Sequence, residues 1–374
     1  MDVVDARELL EEFTPGDYFF GTPRRTIHGS GSADTFTGTD VVALSEAVSA
    51  ALPASPASLA VGVLPFDTAA APGHIVLPQS VRIAGPVQPS PRKAVGAPSS
   101  VRAVPEPVRH VEAVARAVKI LSERGLRKVV LARALDLEFD ETVPVQAILH
   151  NLVADKAGAY TFAASLPGER MLLGATPELL LSRSGGQVVS HPHAGSAPRS
   201  ADPVTDRENG ETLAASKKDH IEHAVLTEAI VETLRPFCRR LEVPREPSLV
   251  STPTMWHLGT RVSGELVDRD VTALRLAAAL HPTPAICGTP TDAARELVGE
   301  LEPFDRGYYA GAVGWMDANG DGEWAVSIRC AEVAEHSMRL YAGGGIVPAS
   351  DPKAELDETS AKFQTLLRAM GLDL

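Results

Sequence analysis

The sequence predicts an α+β fold in which helices and antiparallel strands follow one another without a regular alternation. A strongly amphipathic segment at 108–124 precedes an apolar strand at Lys128–Arg133, several short strand-like segments then follow with only turns between them, and helical segments return further along. Strands joined by short turns pair as antiparallel hairpins. A repeating strand and helix pattern, which would indicate a parallel dinucleotide-binding sheet, is not visible.

The first hundred residues predict short strands and one helix. Tyr18–Phe20 and Leu59–Pro65 are apolar segments bounded by Gly, Pro or polar turn residues, whereas 40–52 has helical spacing. The segment from Gly85 to Pro107 is rich in Pro, Ala and Ser and has no periodicity, so we expect a surface connection there. No motif of catalytic residues falls in this part of the chain.

The rest of the chain predicts both element types. The helix at 108–124 ends before Gly125, since glycine readily adopts the left-handed conformation that ends helices. Further helices are expected at 216–235, 271–280, 291–300 (with Thr291 as its N-cap) and 353–370. Strands are expected at Ala159–Leu166, Met171–Gly174, Leu179–Arg183, Tyr308–Met316, Glu323–Val333 and Met338–Ala342.

Composition restricts the class of function. A chain of 374 residues with 44% hydrophobic content is long enough for one large core or two ordinary domains. The formal net charge of -13 and the small number of clustered Lys or Arg residues argue against a nucleic-acid surface or an anionic-membrane surface. A dianionic ligand would therefore need cations placed locally.

The cysteines and the N-terminus indicate a cytoplasmic protein. Cys238, Cys287 and Cys330 form no CxxC pair, so a disulfide framework is not expected. The first residues are acidic where a signal peptide is basic, and no apolar run approaches the roughly 20 residues that span a bilayer.

Two segments of the second half each carry a pair of carboxylates three residues apart. Asp219 precedes Glu222, and Glu355 precedes Glu358, each pair within a predicted helix. This spacing puts both acids of a pair on one helix face. Because hard cations prefer oxygen ligands, the two pairs together predict a magnesium site.

A series of short motifs follows in order along the second part of the chain: Lys128–Arg133, Gly174–Glu178, His193–Ala197, Trp256–His257, His281–Pro284, Arg306–Tyr309, Ser327–Arg329, Gly343–Ile346 and Glu355–Lys362. In this order the motifs resemble those of the chorismate-utilising enzymes, the family of anthranilate synthase component I, and look most similar to isochorismate synthases of the siderophore-pathway type. The resemblance covers roughly residues 105–374. It implies the ADC synthase-like fold of that family, with large antiparallel sheets flanked by helices. We expect a single domain, 1–374, in which 1–104 completes the fold and 105–374 is the catalytic core.

The resemblance implies two proton-transfer residues. Moving a hydroxyl from C4 to C2 of a cyclohexadiene dianion requires a base for water and an acid for the leaving hydroxyl. Lys128 resembles the general base, and Glu178 resembles the general acid, a role that requires a raised pKa. A solvent-exposed lysine and an exposed strand-end carboxylate are the plain structural alternatives for these two residues.

The resemblance also assigns the four acids, with Glu222 and Glu358 as direct magnesium ligands and Asp219 and Glu355 contacting bound water. The ion would bridge to the ring carboxylate of chorismate. Solvent-exposed helix faces are the alternative for any single pair of acids.

Further residues resemble the family's substrate-binding groups. Arg329 and Tyr309 would hold the enolpyruvyl carboxylate, together with backbone amides of the glycine run at Gly343 and Gly344, where a side chain would block close approach. Lys362 would organise the acidic site and the substrate carboxylate. A glycine-rich turn without a binding role is the alternative for the glycine run.

The remaining candidates line the predicted ring site. Gly195 and Ser196 would contact the ring, and His257 is either a hydrogen-bond donor in the pocket or a core histidine. Ala285 and Ile286 resemble the residue pair of enzymes that stop at isochorismate, whereas relatives that eliminate pyruvate tend to have threonine at the first position.

These features predict a magnesium-dependent isochorismate synthase, an isomerase, that acts on chorismate as a monomer without an amidotransferase subunit. Alternatives are a salicylate synthase, which eliminates pyruvate after the same first step, a menaquinone-pathway isochorismate synthase, and an inactive chorismate-binding scaffold. Downstream enzymes that use isochorismate are possible partners. Neither nucleic acid nor membrane is an expected partner.

Overall fold

Helices form where an amphipathic period coincides with capping groups. The computed structural model describes residues 4–155, 160–252 and 254–372. Asp40 and Asp351 each accept hydrogen bonds from two backbone N–H groups at the start of a helix, and Gly125, with φ of 69°, follows the end of another. The α-helices of the described residues are α1 (Ala6–Glu12), α2 (Val41–Ala51), α3 (Pro107–Arg124), α4 (Val145–Ala154), α5 (Pro203–Ala215), α6 (Lys217–Leu234), α7 (Ala273–Leu280), α8 (Thr291–Leu301) and α9 (Pro352–Ala369).

The strands are short and mostly joined by turns. In chain order they are β1 (Tyr18–Gly21), β2 (Thr26–Ser30), β3 (Asp34–Gly38), β4 (Leu59–Leu64), β5 (Gly73–Leu77), β6 (Ser80–Ala84), β7 (Ser100–Val104), β8 (Lys128–Glu138), β9 (Tyr160–Leu166), β10 (Arg170–Thr176), β11 (Leu179–Ser184), β12 (Gln187–His191), β13 (His193–Pro198), β14 (Cys238–Glu242), β15 (Ser248–Ser251), β16 (Met255–Gly259), β17 (Val262–Leu266), β18 (Gly288–Thr289), β19 (Ala312–Asp317), β20 (Gly322–Val326), β21 (Cys330–Val333) and β22 (Ser337–Ile346).

The strands form two large sheets and one small sheet. The first sheet has the order β18-β8-β22-β21-β10-β9-β1-β2-β6, with β7 also paired to β8. The second has the order β14-β17-β12-β11-β20-β19-β4-β5-β3, and the small sheet is β13-β16-β15. Every strand pair within the described residues is antiparallel. The predicted α+β class with antiparallel sheets is therefore confirmed.

The first large sheet is buried on both faces. Neighbouring side chains of β1 point to opposite faces, and Phe20 belongs to a core that contains residues of both large sheets, whereas Phe19 belongs to a second core shared with α1, α4 and α9. The first 104 residues take part in both large sheets, since β1, β2, β6 and β7 lie in the first and β3–β5 in the second.

Three sequence-based expectations need correction. The connection at 85–107 contains an exposed strand, β7. It forms because it pairs with the C-terminal residues of β8, Ala134–Glu138. The strand expected at Tyr308–Met316 begins only at Ala312, because the preceding residues form a turn. Thr291 is the first residue of α8, and Pro290 occupies the N-cap position without a capping side chain.

A fourth correction concerns the strand expected at Glu323–Val333. It is two strands, β20 and β21, with Ser327–Arg329 between them. Arg329 has φ of 51°, in the left-handed region, so the chain turns there instead of continuing. Of the strand predicted from Ala159, the residues from Tyr160 onward form β9, and Ala159 lies outside the described residues.

No helix in the described part of the chain combines the length and the apolar character needed to cross a bilayer. Cys238, Cys287 and Cys330 are free thiols.

Candidate active site

A cavity of about 860 Å³ lies between the first large sheet, the small sheet and the helices α6 and α9. Every residue proposed for the site lines this cavity except two, Gly344 and Glu355. Those that line it are Lys128, Glu178, Gly195, Ser196, Asp219, Glu222, His257, Ala285, Ile286, Tyr309, Arg329, Gly343, Glu358 and Lys362. The fold thus brings together residues that are up to 234 positions apart in the sequence, Lys128 and Lys362.

Lys128 is the first residue of β8 and is buried, with 2% of its surface exposed. Its Nζ lies 2.8 Å from Oε1 of Glu222 on α6. A Cβ atom at Gly345, on the neighbouring strand β22, would come within 2.6 Å of Glu222 Oε1 and 2.7 Å of Lys128 Cε. The glycine therefore leaves the space in which the lysine and the carboxylate meet.

Glu178 lies on the turn between β10 and β11 and is 4% exposed. Its carboxylate accepts a hydrogen bond from the backbone N–H of His193. Burial outweighs this bond and the attraction of nearby Lys128 and Arg329, and raises the pKa of Glu178 to about 7. The side chain can therefore hold a proton near neutral pH, as a general acid must.

Three of the four acids, Asp219, Glu222 and Glu358, line one end of the cavity, whereas Glu355 of α9 is buried beside Gly344. Burial, together with the charges of Glu222 and Glu358, raises the pKa of Asp219. Burial, followed by the charge of Glu358, raises the pKa of Glu355 to about 7, and Oε2 of Glu355 is buried without a hydrogen-bond partner in the described structure. Mutual repulsion and an unsatisfied oxygen give this end of the cavity an affinity for cations.

Two lysines already neutralise part of the negative charge of these acids. Lys362 Nζ lies 2.6 Å from Oε1 of Glu358, and Lys218 Nζ lies 3.7 Å from Oε1 of Glu355. Lys362 also donates a 2.8 Å hydrogen bond to the carbonyl of Gly343, which ties α9 to β22. Within the described residues, no group of three or more His, Cys, Asp or Glu side chains is already arranged to hold a metal ion.

Arg329 enters the cavity from the break between β20 and β21. It is 6% exposed, and burial lowers the pKa of its guanidinium to about 10. Glu358, Tyr309 and Glu178 are near enough to influence the guanidinium, but within the described residues it forms no hydrogen bond or ion pair. A buried guanidinium without a partner is a strong site for a carboxylate ligand.

Tyr309 and the glycine run lie next to Arg329 in the cavity. The Tyr309 ring stacks on that of Tyr341, with centroids 4.8 Å apart, and a Cβ atom at Gly343 would come within 2.7 Å of the Tyr309 hydroxyl oxygen. Gly343 pairs with Ala132 of β8 on one side of β22, whereas on the other side β21 pairs only with Met338–Leu340. The backbone of the glycine run is therefore available to a ligand on that side, within the described structure.

The glycine run is part of a strand, so the alternative of a simple turn is wrong for these residues. Gly344 faces away from the cavity, toward the Glu355 carboxylate, where a Cβ atom would come within 2.9 Å of Oε2. The lack of a side chain at Gly344 makes room for the Glu355 carboxylate, whereas Gly343 and Gly345 border the cavity itself.

His257 lies on β16 and contacts the neighbouring strand β13, which carries Gly195 and Ser196. Its Nδ1 lies 3.1 Å from the Ser196 hydroxyl and 3.3 Å from the Gly195 carbonyl, and burial lowers its pKa well below the usual value. The imidazole is therefore neutral at physiological pH and orients Ser196. Gly195 has φ of 78°, and a Cβ atom there would come within 2.9 Å of Cβ of Asp219.

A buried ion pair that the sequence analysis did not single out supports the cavity wall. Arg306 donates hydrogen bonds of 2.7 Å to the carbonyls of Ile286 and Val130, and pairs with Glu302 at 2.5 Å. Glu302 in turn accepts a 2.7 Å bond from the backbone N–H of Ala132. The pair therefore fixes the position of Ile286 relative to β8, the strand that begins with Lys128.

Other lining residues were also missed, among them His193, Lys218 and Gly345. His193 stands inside a segment that carries the resemblance, two residues before Gly195, and Lys218 directly precedes Asp219 of the first acid pair. Their position beside residues that were chosen was the available signal. The contact of Gly345 with Lys128 depends on the register of β22 against β8, which no local sequence pattern gives.

The fold and this constellation define a class of protein. A model of the chorismate binding enzyme family matches residues 83–371, and the chain belongs to this family. Among individual relatives, isochorismate synthase DhbC of Bacillus subtilis (strain 168) is 47% identical over 386 residues, which cover 98% of this chain and 97% of the relative.

Solved structures agree with this membership. A crystal structure of a Bacillus anthracis protein assigned as a 2,3-dihydroxybenzoate-specific isochorismate synthase, DhbC, superposes with a TM-score of 0.94 at 43% identity, covering 98% of this chain and 100% of that one. Anthranilate synthase component I of Streptococcus pneumoniae TIGR4 superposes with a TM-score of 0.76 at 20% identity, covering 92% of each chain, and shares the fold. The family and fold predicted from the motifs are therefore confirmed.

Proposed function

We propose that this protein is an isochorismate synthase, an isomerase that converts chorismate to isochorismate. The observation that carries the proposal is a buried lysine and a buried, protonatable glutamate in one cavity, Lys128 and Glu178, together with a buried guanidinium that lacks a partner, that of Arg329. Acid, base and carboxylate-binding group are the three requirements of the reaction. The similarity to DhbC over nearly the whole chain supports the siderophore branch of this activity.

The two proton transfers balance within the cavity. Lys128, as the neutral amine, takes a proton from the water that attacks C2, while Glu178 gives its proton to the C4 hydroxyl, which leaves as water. One C–O bond forms, one breaks, and the ring double bonds shift between the two carbons. The lysine ends as an ammonium and the glutamate as a carboxylate, so one proton must return from Lys128 to Glu178 before the next cycle.

The enolpyruvyl carboxylate of chorismate has its own binding groups, separate from those of the ring carboxylate. Arg329 offers a planar pair of donors to the enolpyruvyl carboxylate, the Tyr309 hydroxyl adds one donor, and the backbone near Gly343 borders the same region. Desolvation of these groups makes each interaction with the ligand stronger than it would be in water.

Magnesium is the proposed cofactor, held by Glu222 and Glu358 directly and by Asp219 and Glu355 through water. The residues fit the ion, since all four donors are carboxylates and one buried oxygen, Oε2 of Glu355, lacks a partner among the residues that the structure describes. The bound ion would supply positive charge for the ring carboxylate of the substrate. Lys128, Lys218 and Lys362 contact three of these acids in the free protein.

Replacing Glu355 with glutamine tests the magnesium site. The change removes charge beside the ion, so we expect the magnesium concentration for half-maximal activity to rise about 10-fold to 100-fold. The matched control is Glu323→Gln, because Glu323 is also buried but pairs with Arg24 and does not line the cavity. Equal magnesium requirements in the two variants, measured by activity and by magnesium-dependent thermal stabilisation, would argue against the site.

Replacing Arg306 with lysine tests whether the buried ion pair positions the cavity wall. Loss of the fixed contacts to Ile286 and Val130 should lower kcat/KM for chorismate by roughly 10-fold to 100-fold. The control is Arg183→Lys, because Arg183 is equally buried, pairs with Asp321 and donates to the carbonyl of Asn319, but does not line the cavity.

Both arginine variants should lose about 1–3 kcal/mol of unfolding free energy, since each leaves buried acceptors poorly satisfied. Only Arg306→Lys should change the kinetics. If Arg183→Lys lowers kcat/KM as much as Arg306→Lys does, general destabilisation explains the effect and the positioning role is wrong.

The remaining assignments are proposals of the same kind. The chain acts as one domain, supported by the strands that its first 104 residues contribute to both large sheets. It acts as a cytoplasmic monomer without an amidotransferase subunit, and enzymes that use isochorismate are candidate partners. Ala285 and Ile286 border the ring site and favour release of isochorismate over pyruvate elimination.

Incubation with chorismate, with and without magnesium, followed by separation of the products, tests this function. Isochorismate formed only with the metal is the expected result. Stoichiometric salicylate and pyruvate would assign the protein to the salicylate synthases instead, and unchanged chorismate in both samples would favour an inactive scaffold.

A further inference from the structure

A second cavity, of about 610 Å³, lies directly beside the active-site cavity. Arg329 and Pro177 line both cavities, so the two spaces adjoin at these residues. Its other walls include Arg92, Asp155 and Arg368, with apolar surface between them. None of these three residues has a role in the chemistry proposed above.

The charge of the second cavity is opposite to that of the whole protein. Among the described residues, three arginines line it against one acid, Asp155, whereas the formal net charge of the chain is -13. Arg92 pairs with Asp155 and donates to the backbone carbonyl of Arg368. The guanidinium of Arg368 is exposed and forms no close ion pair within the described residues, although its charge acts on Asp155.

The second cavity also lies on the favourable side of the active site for an anion. The acidic side of the active-site cavity holds Asp219, Glu222 and Glu358, none of which lines the second cavity. Arg329, the proposed binding group for the enolpyruvyl carboxylate, lines both cavities. The lysines that pair with the acids leave the acidic side without net positive charge in the free protein, whereas the arginines of the second cavity would attract a dianion.

We propose that the second cavity is an antechamber that attracts the dianionic cyclohexadiene substrate and delivers it to Arg329. Its ligand is a small dicarboxylate with an apolar body, which suits guanidinium groups beside apolar walls. The inference rests on the proposed function, because chorismate is the dianion in question. It adds to the catalytic site an entry route for the substrate and a surface that attracts anions.

The test compares two charge reversals at low and high salt. Arg368→Glu changes the charge by two units beside the antechamber, and Arg245→Glu makes the same change at an exposed position that lines neither cavity. At about 20 mM salt, Arg368→Glu should lower kcat/KM for chorismate roughly threefold to sixfold, and at about 0.5 M salt by less than about twofold, because screening removes the interaction. The kcat value should stay unchanged, since the catalytic groups are intact.

A second variant tests the route rather than the charge. Thr365 lines the second cavity on α9 and not the active-site cavity, so Thr365→Trp should fill the antechamber and lower kcat/KM at both salt concentrations. Thermal unfolding of each variant establishes that it is folded.

The outcomes separate this inference from the proposed function. If wild-type protein converts chorismate but Arg368→Glu behaves as Arg245→Glu does, the antechamber is wrong and the function stands. Unchanged kcat/KM in folded Thr365→Trp would equally overturn the route. Absence of turnover in the wild-type protein would overturn the function and the antechamber together.

Discussion

Replacement of Lys128 by alanine should lower kcat by about 10²-fold to 10⁴-fold, the range that a positioned general base contributes. Lys128 is buried at the start of β8, and its amine lies against Glu222 inside the cavity. Without the amine, the attacking water has no base at that position. Chorismate binding should persist, because Arg329 and Tyr309 remain in place.

Two measurements separate loss of the base from loss of structure in this variant. Calorimetry should give a Kd for chorismate within about tenfold of the wild-type value, since the change removes no carboxylate-binding group. Small primary amines added to the Lys128→Ala protein should restore part of the activity, and more basic amines should restore more. Wild-type turnover in the alanine variant would rule out Lys128 as the base.

Replacement of Glu178 by glutamine should lower kcat by a similar factor, about 10²-fold to 10⁴-fold, because the amide cannot give up a proton. The side chains are nearly isosteric, and the glutamine can still accept the hydrogen bond that the His193 backbone N–H donates. The folded structure should therefore persist. A Glu178→Asp variant keeps an acid on a shorter side chain and should retain more activity than glutamine does.

The pH dependence of the wild-type enzyme gives an independent test of Glu178. Burial raises its pKa to about 7, so the carboxyl is protonated and competent as an acid below that pH and loses its proton above it. We expect kcat/KM to fall about tenfold per pH unit above roughly pH 7. This decline should be absent from the residual activity of Glu178→Gln, and the same decline in that variant would assign the titration to another group.

The sequence predicted the parts of the site that depend on local spacing. Asp219 and Glu222 share a face of α6 because residues three apart do so in any helix. The same holds for Glu355 and Glu358 on α9. Spacing alone could not show that α6 and α9 approach each other.

Contacts between distant segments explain what the sequence did not reveal. Gly345 contacts Lys128 only because β22 and β8 pair in one register. Arg306 was visible in a motif, but its bonds to Ile286 and Val130 require the folded chain. The break at Arg329 interrupts a segment of continuous strand propensity, so only its positive φ distinguishes it.

Turnover of chorismate in water enriched with ¹⁸O, followed by separation and mass spectrometry of the product, distinguishes attack by water from migration of the hydroxyl. We expect isochorismate that carries one ¹⁸O atom, in its C2 hydroxyl, at the earliest times measured, because the water activated by Lys128 supplies that oxygen. Isochorismate without label would show that the hydroxyl migrates within the molecule and would contradict the roles of Lys128 and Glu178.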